Sequence, residues 1–263
     1  MSKQIAIFGW KIGENSYGIT VPYYDYFNRF GEVSILSPVK DINFDKYDLL
    51  VIPGGPDINP ATYNYIPSMA TGRLDPIREY FDTYILPQAI EQEIPIVGIC
   101  RGHQAVGIYY KGVLHQDMSH GTNPANDRGK LVHGLDIFTR VLPEELQQAL
   151  LEQAGNPKKS TLTRRKEGTQ DHTRLYQDVN SMHHQSLMDV PDGASLLATH
   201  YDKDDLEDKT IEALYYPNNI ITFQYHPEEI WDVLSSVCVR YLTTIKEKAR
   251  NNEKILRVPE IHE

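Results

Sequence analysis

Short apolar runs alternate with longer amphipathic stretches over the first hundred residues. Residues 4–8, 32–36, 47–52 and the run opening at Ile94 are short, apolar and bounded by Gly, Pro or polar residues, which predicts buried strands. Helical patterns lie between them. Residues 21–30 carry Tyr23, Tyr24, Tyr26, Phe27 and Phe30, with Pro22 in the first turn. The stretch up to about Gln92 opens with Asp75 as N-cap and Pro76 at the first helical position. Residues 12–18, polar and glycine-containing, read as a loop. Strands alternating with helices predict an α/β fold: a doubly wound, mostly parallel central sheet, flavodoxin-like, with helices on both faces.

The second half is richer in strand patterns. Residues 112–116, 131–140, 179–183, 195–199, 210–216 and 220–226 are expected as strands, the last two joined by the turn signal Pro217-Asn218-Asn219. They add smaller antiparallel strands to the parallel sheet. Further helices are expected over 102–111, 143–153 and 230–250. Residues 155–177 are polar and aperiodic, with Lys158, Lys159, Arg164, Arg165 and Lys166, and read as a surface excursion. Residues 202–209 read as an acidic loop. No internal repeat or low-complexity linker divides the chain, so one catalytic domain is expected over 1–250, followed by a tail over 251–263.

Composition narrows the function classes. The 263 residues are 40% hydrophobic and 24% charged, ordinary for a soluble globular protein. A net charge of −10, from 26 Lys+Arg against 36 Asp+Glu, argues against broad electrostatic binding to nucleic acid or an anionic membrane. No apolar run approaches the ~20 residues of a spanning helix, and the opening MSKQIAIFGW is too short an apolar run for a secretion signal. Two cysteines, Cys100 and Cys238, make no disulfide framework, so a reducing, cytoplasmic setting is expected. Cys238, within an apolar helical stretch, is expected as a buried thiol.

Residues 94–104, IPIVGICRGHQ, carry the chemistry. A strand turns through Gly98-Ile99-Cys100-Arg101-Gly102 into a helix, an elbow with Cys between two glycines. The turn lifts the sulfur above the sheet edge, and the free N–H groups and positive dipole end of the next helix favour thiolate. The base is expected at His226 in Tyr225-His226-Pro227-Glu228. On an extended strand, residues i and i+2 stand ~6.6 Å apart on one face. Glu228 would then hold one imidazole nitrogen while the other faces Cys100. Read alone, His-Pro-Glu is also compatible with a strand end and a solvated acid. One oxyanion donor is expected from the Arg101 N–H. The other is expected from Gly54 or Gly55 in the Pro53-Gly54-Gly55-Pro56 loop, which otherwise reads as an ordinary strand-to-helix turn.

Together, GICRGHQ, FQYHPE and the PGG loop resemble the class I glutamine amidotransferases, over roughly residues 4–242. Pro53-Gly54-Gly55-Pro56-Asp57-Ile58-Asn59-Pro60 with Tyr63, and Asn180-Ser181-Met182-His183-His184-Gln185-Ser186, look like the γ-glutamyl-γ-aminobutyrate hydrolase branch. The resemblance implies a Cys100–His226–Glu228 triad and attack on a γ-glutamyl amide. A γ-glutamyl thioester follows, then hydrolysis to glutamate and free amine. No metal or organic cofactor is implied, and no zinc-site spacing appears among the ten histidines. The alternative is a glutaminase subunit delivering ammonia to a separate synthetase partner, since His103 after CRG is as typical of those enzymes. A non-catalytic binding protein on the same fold ranks third. A homo-oligomer is left open.

Three further residues are candidates for holding the substrate. Gln104 would either bind the glutamyl group or cap the turn. His183 and His184, on an expected strand, point to opposite faces, so at most one reaches the site, and His183 is the one that matches the family's position beside the substrate. Gln185 completes the N-S-x-H-x-Q segment. Arg73 and Arg78 could meet a substrate carboxylate, with a solvated face as their default. The basic cluster at 158–166 is expected as a surface loop, with docking of an acidic partner as the lesser reading.

Overall fold

The computed structural model describes residues 2–37, 42–118, 127–154, 162–166, 173–200 and 210–249. Their strands are β1 (Gln4–Phe8), β2 (Trp10–Gly13), β3 (Ser16–Gly18), β4 (Glu32–Leu36), β5 (Leu49–Ile52), β6 (Ile96–Ile99), β7 (Leu114–His115), β8 (His133–Ile137), β9 (Thr163–Lys166), β10 (Thr173–Val179), β11 (Ser186–Leu187), β12 (Ser195–His200), β13 (Ile211–Tyr216) and β14 (Ile220–Phe223). The α-helices are α1 (Val21–Phe27), α2 (Pro76–Tyr80), α3 (Leu86–Glu91), α4 (Arg101–Tyr109), α5 (Glu144–Ala154), α6 (Pro227–Ile230) and α7 (Val233–Leu242).

Ten strands form one sheet in the order β4-β1-β5-β6-β14-β13-β12-β8-β10-β9. The first five are parallel, and from β14 outward every pairing is antiparallel. The parallel strands are apolar at every position of β5, β6 and β14 save Gly98 and Thr222, because helices cover both faces and neither meets water. Ile5, Ile7, Leu49 and Val51 face one core with Tyr26 and Phe27 of α1, Leu146 of α5 and Leu234 of α7. Ala6, Phe8, Leu50 and Ile52 face the other with Leu86 of α3 and Val106 of α4. This is the doubly wound, flavodoxin-like arrangement expected from the pattern.

Several boundaries differ from the sequence reading, each for a physical reason. Residues 12–18, expected as a loop, instead take part in an antiparallel hairpin of β2 and β3. Its strands are too short and polar for their alternation to register. Part of the expected surface excursion at 155–177 is sheet: β9 pairs with β10 at the sheet edge, where charged side chains are compatible with strand. The segment carrying Lys158 and Lys159 lies outside the described residues, as do 202–209 and the tail over 251–263. The strand expected over 179–183 is instead β10, which ends at Val179. Asn180–Gln185 runs on as irregular chain whose polar side chains supply the hydrogen bonds a ladder would have given. Between α2 and α3 the helix passes through a π-helical turn, Phe81–Ile85. Cys238 is fully buried, and burial pushes its thiol up.

Candidate active site

Strand register brings the three chemistry-bearing segments to one sheet edge. Ile52 of β5 lies opposite Gly98 of β6, and Ile99 of β6 lies opposite Phe223 of β14. The residues that leave these parallel strands therefore emerge side by side: Pro53-Gly54-Gly55, Cys100, and Gln224-Tyr225-His226. That is the carboxyl edge, where open α/β sheets hold their ligands.

The elbow stores its strain on the cysteine. Cys100 has φ 50° and ψ −107°, outside the basins an L-residue prefers. Two hydrogen bonds tie its backbone down: its N–H donates to Phe223 O at 2.7 Å, and its carbonyl accepts from Gln104 N at 3.1 Å to open α4. The flanking glycines serve close packing rather than a left-handed turn. A Cβ on Gly102 would stand 1.9 Å from the Ile52 carbonyl oxygen, so α4 can sit this close to β5 only with glycine there.

His226 and Glu228 do not share the strand that the sequence reading expects. β14 ends at Phe223, and His226 caps the one-turn helix α6, which contains Glu228. The pairing survives this change: His226 Nδ1 and Glu228 Oε1 are 2.6 Å apart. Both side chains are buried. Burial disfavours the imidazolium, but the Glu228 charge and the neighbouring Cys100 outweigh it and raise the His226 pKa to about 10. His226 and Cys100 line the same cavity, of about 300 Å³, together with Trp10, Tyr23, Gly54 and Arg128.

Asn180 and Tyr23 matter here although the sequence reading gives them no role. Asn180 Oδ1 accepts from His226 N at 2.9 Å, and its Nδ2 donates to His226 O at 3.1 Å and to Arg128 O at 2.9 Å. The amide thus grips the backbone of the base from both sides. Asn180 opens the very motif that directs attention to His183 and Gln185. Tyr23, buried on α1, accepts from Gly54 N at 2.8 Å. Burial and the nearby Glu228 charge push its phenol well above the ordinary tyrosine range. Nothing in an aromatic helical pattern distinguishes this tyrosine from a core residue.

The glycine loop is held from below by Arg78. Its guanidinium, fully buried, donates to Gly54 O at 2.8 Å and to Pro53 O at 2.6 Å. Burial and the charge of Arg101 lower its pKa to about 10. It is a loop anchor rather than the solvated residue expected by default, whereas Arg73 is exposed. Gly54 must be glycine because a Cβ there would come within 2.7 Å of His226 Cε1. Its N–H is engaged by Tyr23, while the Gly55 N–H donates to no described residue. Arg101 turns its side chain away from the cavity into a buried ion pair with Asp82.

Gln104, His183 and Gln185 do not line the cavity. Gln104 Nε2 donates to Gln185 O at 2.9 Å and Gln224 Oε1 at 3.2 Å. His183 Nδ1 lies 3.0 Å from Gln185 O, and Gln185 Nε2 donates to Gln116 O at 3.3 Å. These amides and rings serve a buried polar network that reaches Glu212 through His183. The sequence cannot separate the two uses, because a polar residue close to a nucleophile is equally available to a core network. His183 and His184 do diverge: His183 is buried, and His184 is a partly exposed neighbour of Asp57 and Asp117. Among the described residues, no group of three or more metal-ligating side chains occurs, and no helix is long and apolar enough to cross a membrane.

Comparison with known proteins identifies the family and the fold. The chain is 29% identical over 216 residues to the glutamine amidotransferase-like protein YvdE of Lactococcus lactis, covering 80% of each chain. It is 30% identical over 86 residues to a glutamine-hydrolyzing GMP synthase subunit of Methanosarcina acetivorans, covering 33% of this chain and 34% of that one. Its fold matches the crystal structure of a GMP synthase subunit protein from Thermoplasma acidophilum with a TM-score of 0.54 and 16% identity, over 97% of this chain and 98% of the other. The family model for peptidase C26 matches residues 12–228. The chain therefore belongs to the peptidase C26 family, within the class I glutamine amidotransferase-like proteins, and is a hydrolase of amide C–N bonds.

Proposed function

We propose that the protein cleaves γ-glutamyl amides through a thioester on Cys100, releasing glutamate and an amine. One observation carries this reading: Cys100 and His226 share a small cavity, and Glu228 stands 2.6 Å behind the imidazole. His226 takes the Cys100 proton, and Glu228 stabilises the imidazolium that forms. The thiolate attacks the γ-carbonyl. The oxyanion is met by the Arg101 N–H and by the Gly55 N–H, with Gly54 joining when Tyr23 yields its hydrogen bond. His226 passes its proton to the departing amine. The imidazole then activates water, which cleaves the thioester and restores the thiol.

The partial match to a GMP synthase component supports a second reading. In it the substrate is glutamine, and the ammonia goes to a separate synthetase. One set of assays separates the two. The purified chain is given glutamine and a panel of γ-glutamyl amines, and glutamate release is measured. We expect turnover of a γ-glutamyl amine by the isolated chain. Activity confined to glutamine and stimulated only by an added synthetase would replace this reading with the second. Cys100→Ala is expected to lower turnover by ~10⁴-fold or more while leaving the melting temperature near that of the wild type. Retained hydrolysis in that variant would refute the thioester.

A further inference from the structure

Among the described residues that line the cavity at Cys100, Arg128 is the one with a permanent charge, and none carries a carboxylate. Glu228 stands behind the imidazole, on its Nδ1 side. The neutral walls are Trp10, Thr20, Tyr23 and Met182. The chain as a whole carries a net charge of −10, which opposes the approach of an anionic substrate. A cation in the cavity wall reverses that repulsion where the substrate enters.

Arg128 is tied to the base at two points. Its carbonyl accepts from Asn180 Nδ2 at 2.9 Å, the same amide that holds the His226 backbone. Its Nε donates to Glu229 Oε1 at 2.7 Å, and Glu229 N donates to His226 O at 3.2 Å. Guanidinium and imidazole therefore belong to one hydrogen-bonded unit. Glu229 is largely buried, while the Arg128 side chain is half-exposed. A guanidinium has five N–H donors, and Glu229 takes only the one on Nε. The other four, on Nη1 and Nη2, meet no acceptor among the described residues. Taken end-on, that pair of nitrogens matches the two oxygens of a carboxylate.

We propose that Arg128 is a specificity-determining residue of this site: it holds a carboxylate of the substrate end-on through Nη1 and Nη2, while Glu229 fixes the guanidinium from the Nε side. The proposal rests on the γ-glutamyl reading above, which offers two sources for that group. One is the α-carboxylate of the glutamyl moiety. The other is a carboxylate carried by the departing amine.

Steady-state kinetics on two amides tests this and separates the sources. γ-Glutamyl-n-pentylamide carries the α-carboxylate alone, and γ-glutamyl-5-aminopentanoate carries both. Arg128→Gln should raise KM by ~10-fold while kcat stays within about threefold. A rise for both amides assigns the α-carboxylate to Arg128, and a rise confined to the aminopentanoate assigns the departing amine. Unchanged KM for both, or a fall in kcat alone, would overturn the proposal. Arg128→Lys keeps the charge and loses the fork, so KM should stay raised by about threefold or more. Full recovery in that variant would overturn the end-on hold. A second measurement needs no turnover: the rates at which 2-carboxyethyl methanethiosulfonate and its 2-aminoethyl counterpart modify Cys100, read by mass spectrometry of the intact chain. Arg128→Gln should lower the ratio of the anionic to the cationic rate by ~10-fold, and an unchanged ratio would overturn the proposal. If no γ-glutamyl amide is turned over, the hydrolysis reading fails, and these two rates still decide whether Arg128 receives a carboxylate.

Discussion

Among the described residues, two buried glutamates meet histidine, and they are put to different uses. In one, Glu228 meets His226 at 2.6 Å, and the imidazole opens onto a cavity shared with Cys100. In the other, Glu212 of β13 meets His133 of β8 at 3.2 Å and His183 at 3.8 Å, with His103 of α4 nearby. None of these four lines the cavity at Cys100. The histidines respond in opposite directions. His226 is raised to about 10, because the Glu228 charge and the neighbouring Cys100 overcome the effect of burial. His103 is lowered to about 3, because burial outweighs the more distant Glu212. Burial would raise the Glu212 pKa, but the surrounding histidines hold it down at about 2. A buried Glu–His pair is therefore no sign of catalysis by itself. A nucleophile and open space on the far side of the ring make the difference.

The largest effect expected from this contrast is kinetic. Glu228→Gln should lower kcat/KM by ~10³-fold, about 4 kcal/mol of transition-state stabilisation. Glu212→Gln should leave turnover per folded molecule within threefold. Steady-state hydrolysis of whichever substrate the panel identifies measures both. If the two variants lost activity equally, the division between the regions would fail.

The next effect is on stability and should fall on the other pair. Glu212→Ala leaves His133 and His183 facing an emptied site in the core. It should cost about 3 kcal/mol, read from the urea midpoint. An undiminished midpoint would mean that the network contributes nothing to the fold.

Taken per unit of pH, the smallest effect is in the pH dependence, where each region owns one limb. His103 is neutral in the fold down to about pH 3, but titrates near 6.5 when unfolded. The stability it confers is complete above 6.5 and falls as pH drops, by up to ~1.4 kcal/mol per unit. Glu212, at about 2 against 4.5, adds to that loss below pH 4.5. His226 runs the other way: its stabilisation is complete below 6.5 and is lost as pH rises towards 10. Chemical denaturation across pH 4 to 10 should show His103→Gln flattening the acid limb alone and Glu228→Gln flattening the alkaline limb alone. Interchanged behaviour would refute these assignments.

Much of this is legible along the chain, and the reason is locality. Strands β1, β5 and β6 announce themselves because strands within a covered parallel sheet must be largely apolar. The elbow around Cys100 does so because nucleophile, turn and helix start are adjacent in sequence. Asp75 and Pro76 mark a helix start because capping involves only the first turn, and Asp75 does accept from Ile77 N at 3.0 Å. His226 and Glu228 are paired correctly on incorrect geometry. Two residues of separation keep them within reach of each other on a strand or on a one-turn helix alike, so their proximity is a safer inference than their secondary structure.

Other features depend on partners far away in sequence. Whether Gln104 faces a substrate or Gln224 is settled 120 residues downstream. Arg78 is a loop anchor because two carbonyls 24 and 25 residues earlier need its donors. Asn180 is tied to His226 only because β14 runs parallel to β6 and delivers the base to the same edge. The chain's own pattern thus specifies which groups carry chemistry and which segments form the sheet. Folding decides which polar groups meet each other and which are left facing a cavity, because a buried hydrogen bond or ion pair is a choice among every donor and acceptor that packing brings within about 3 Å.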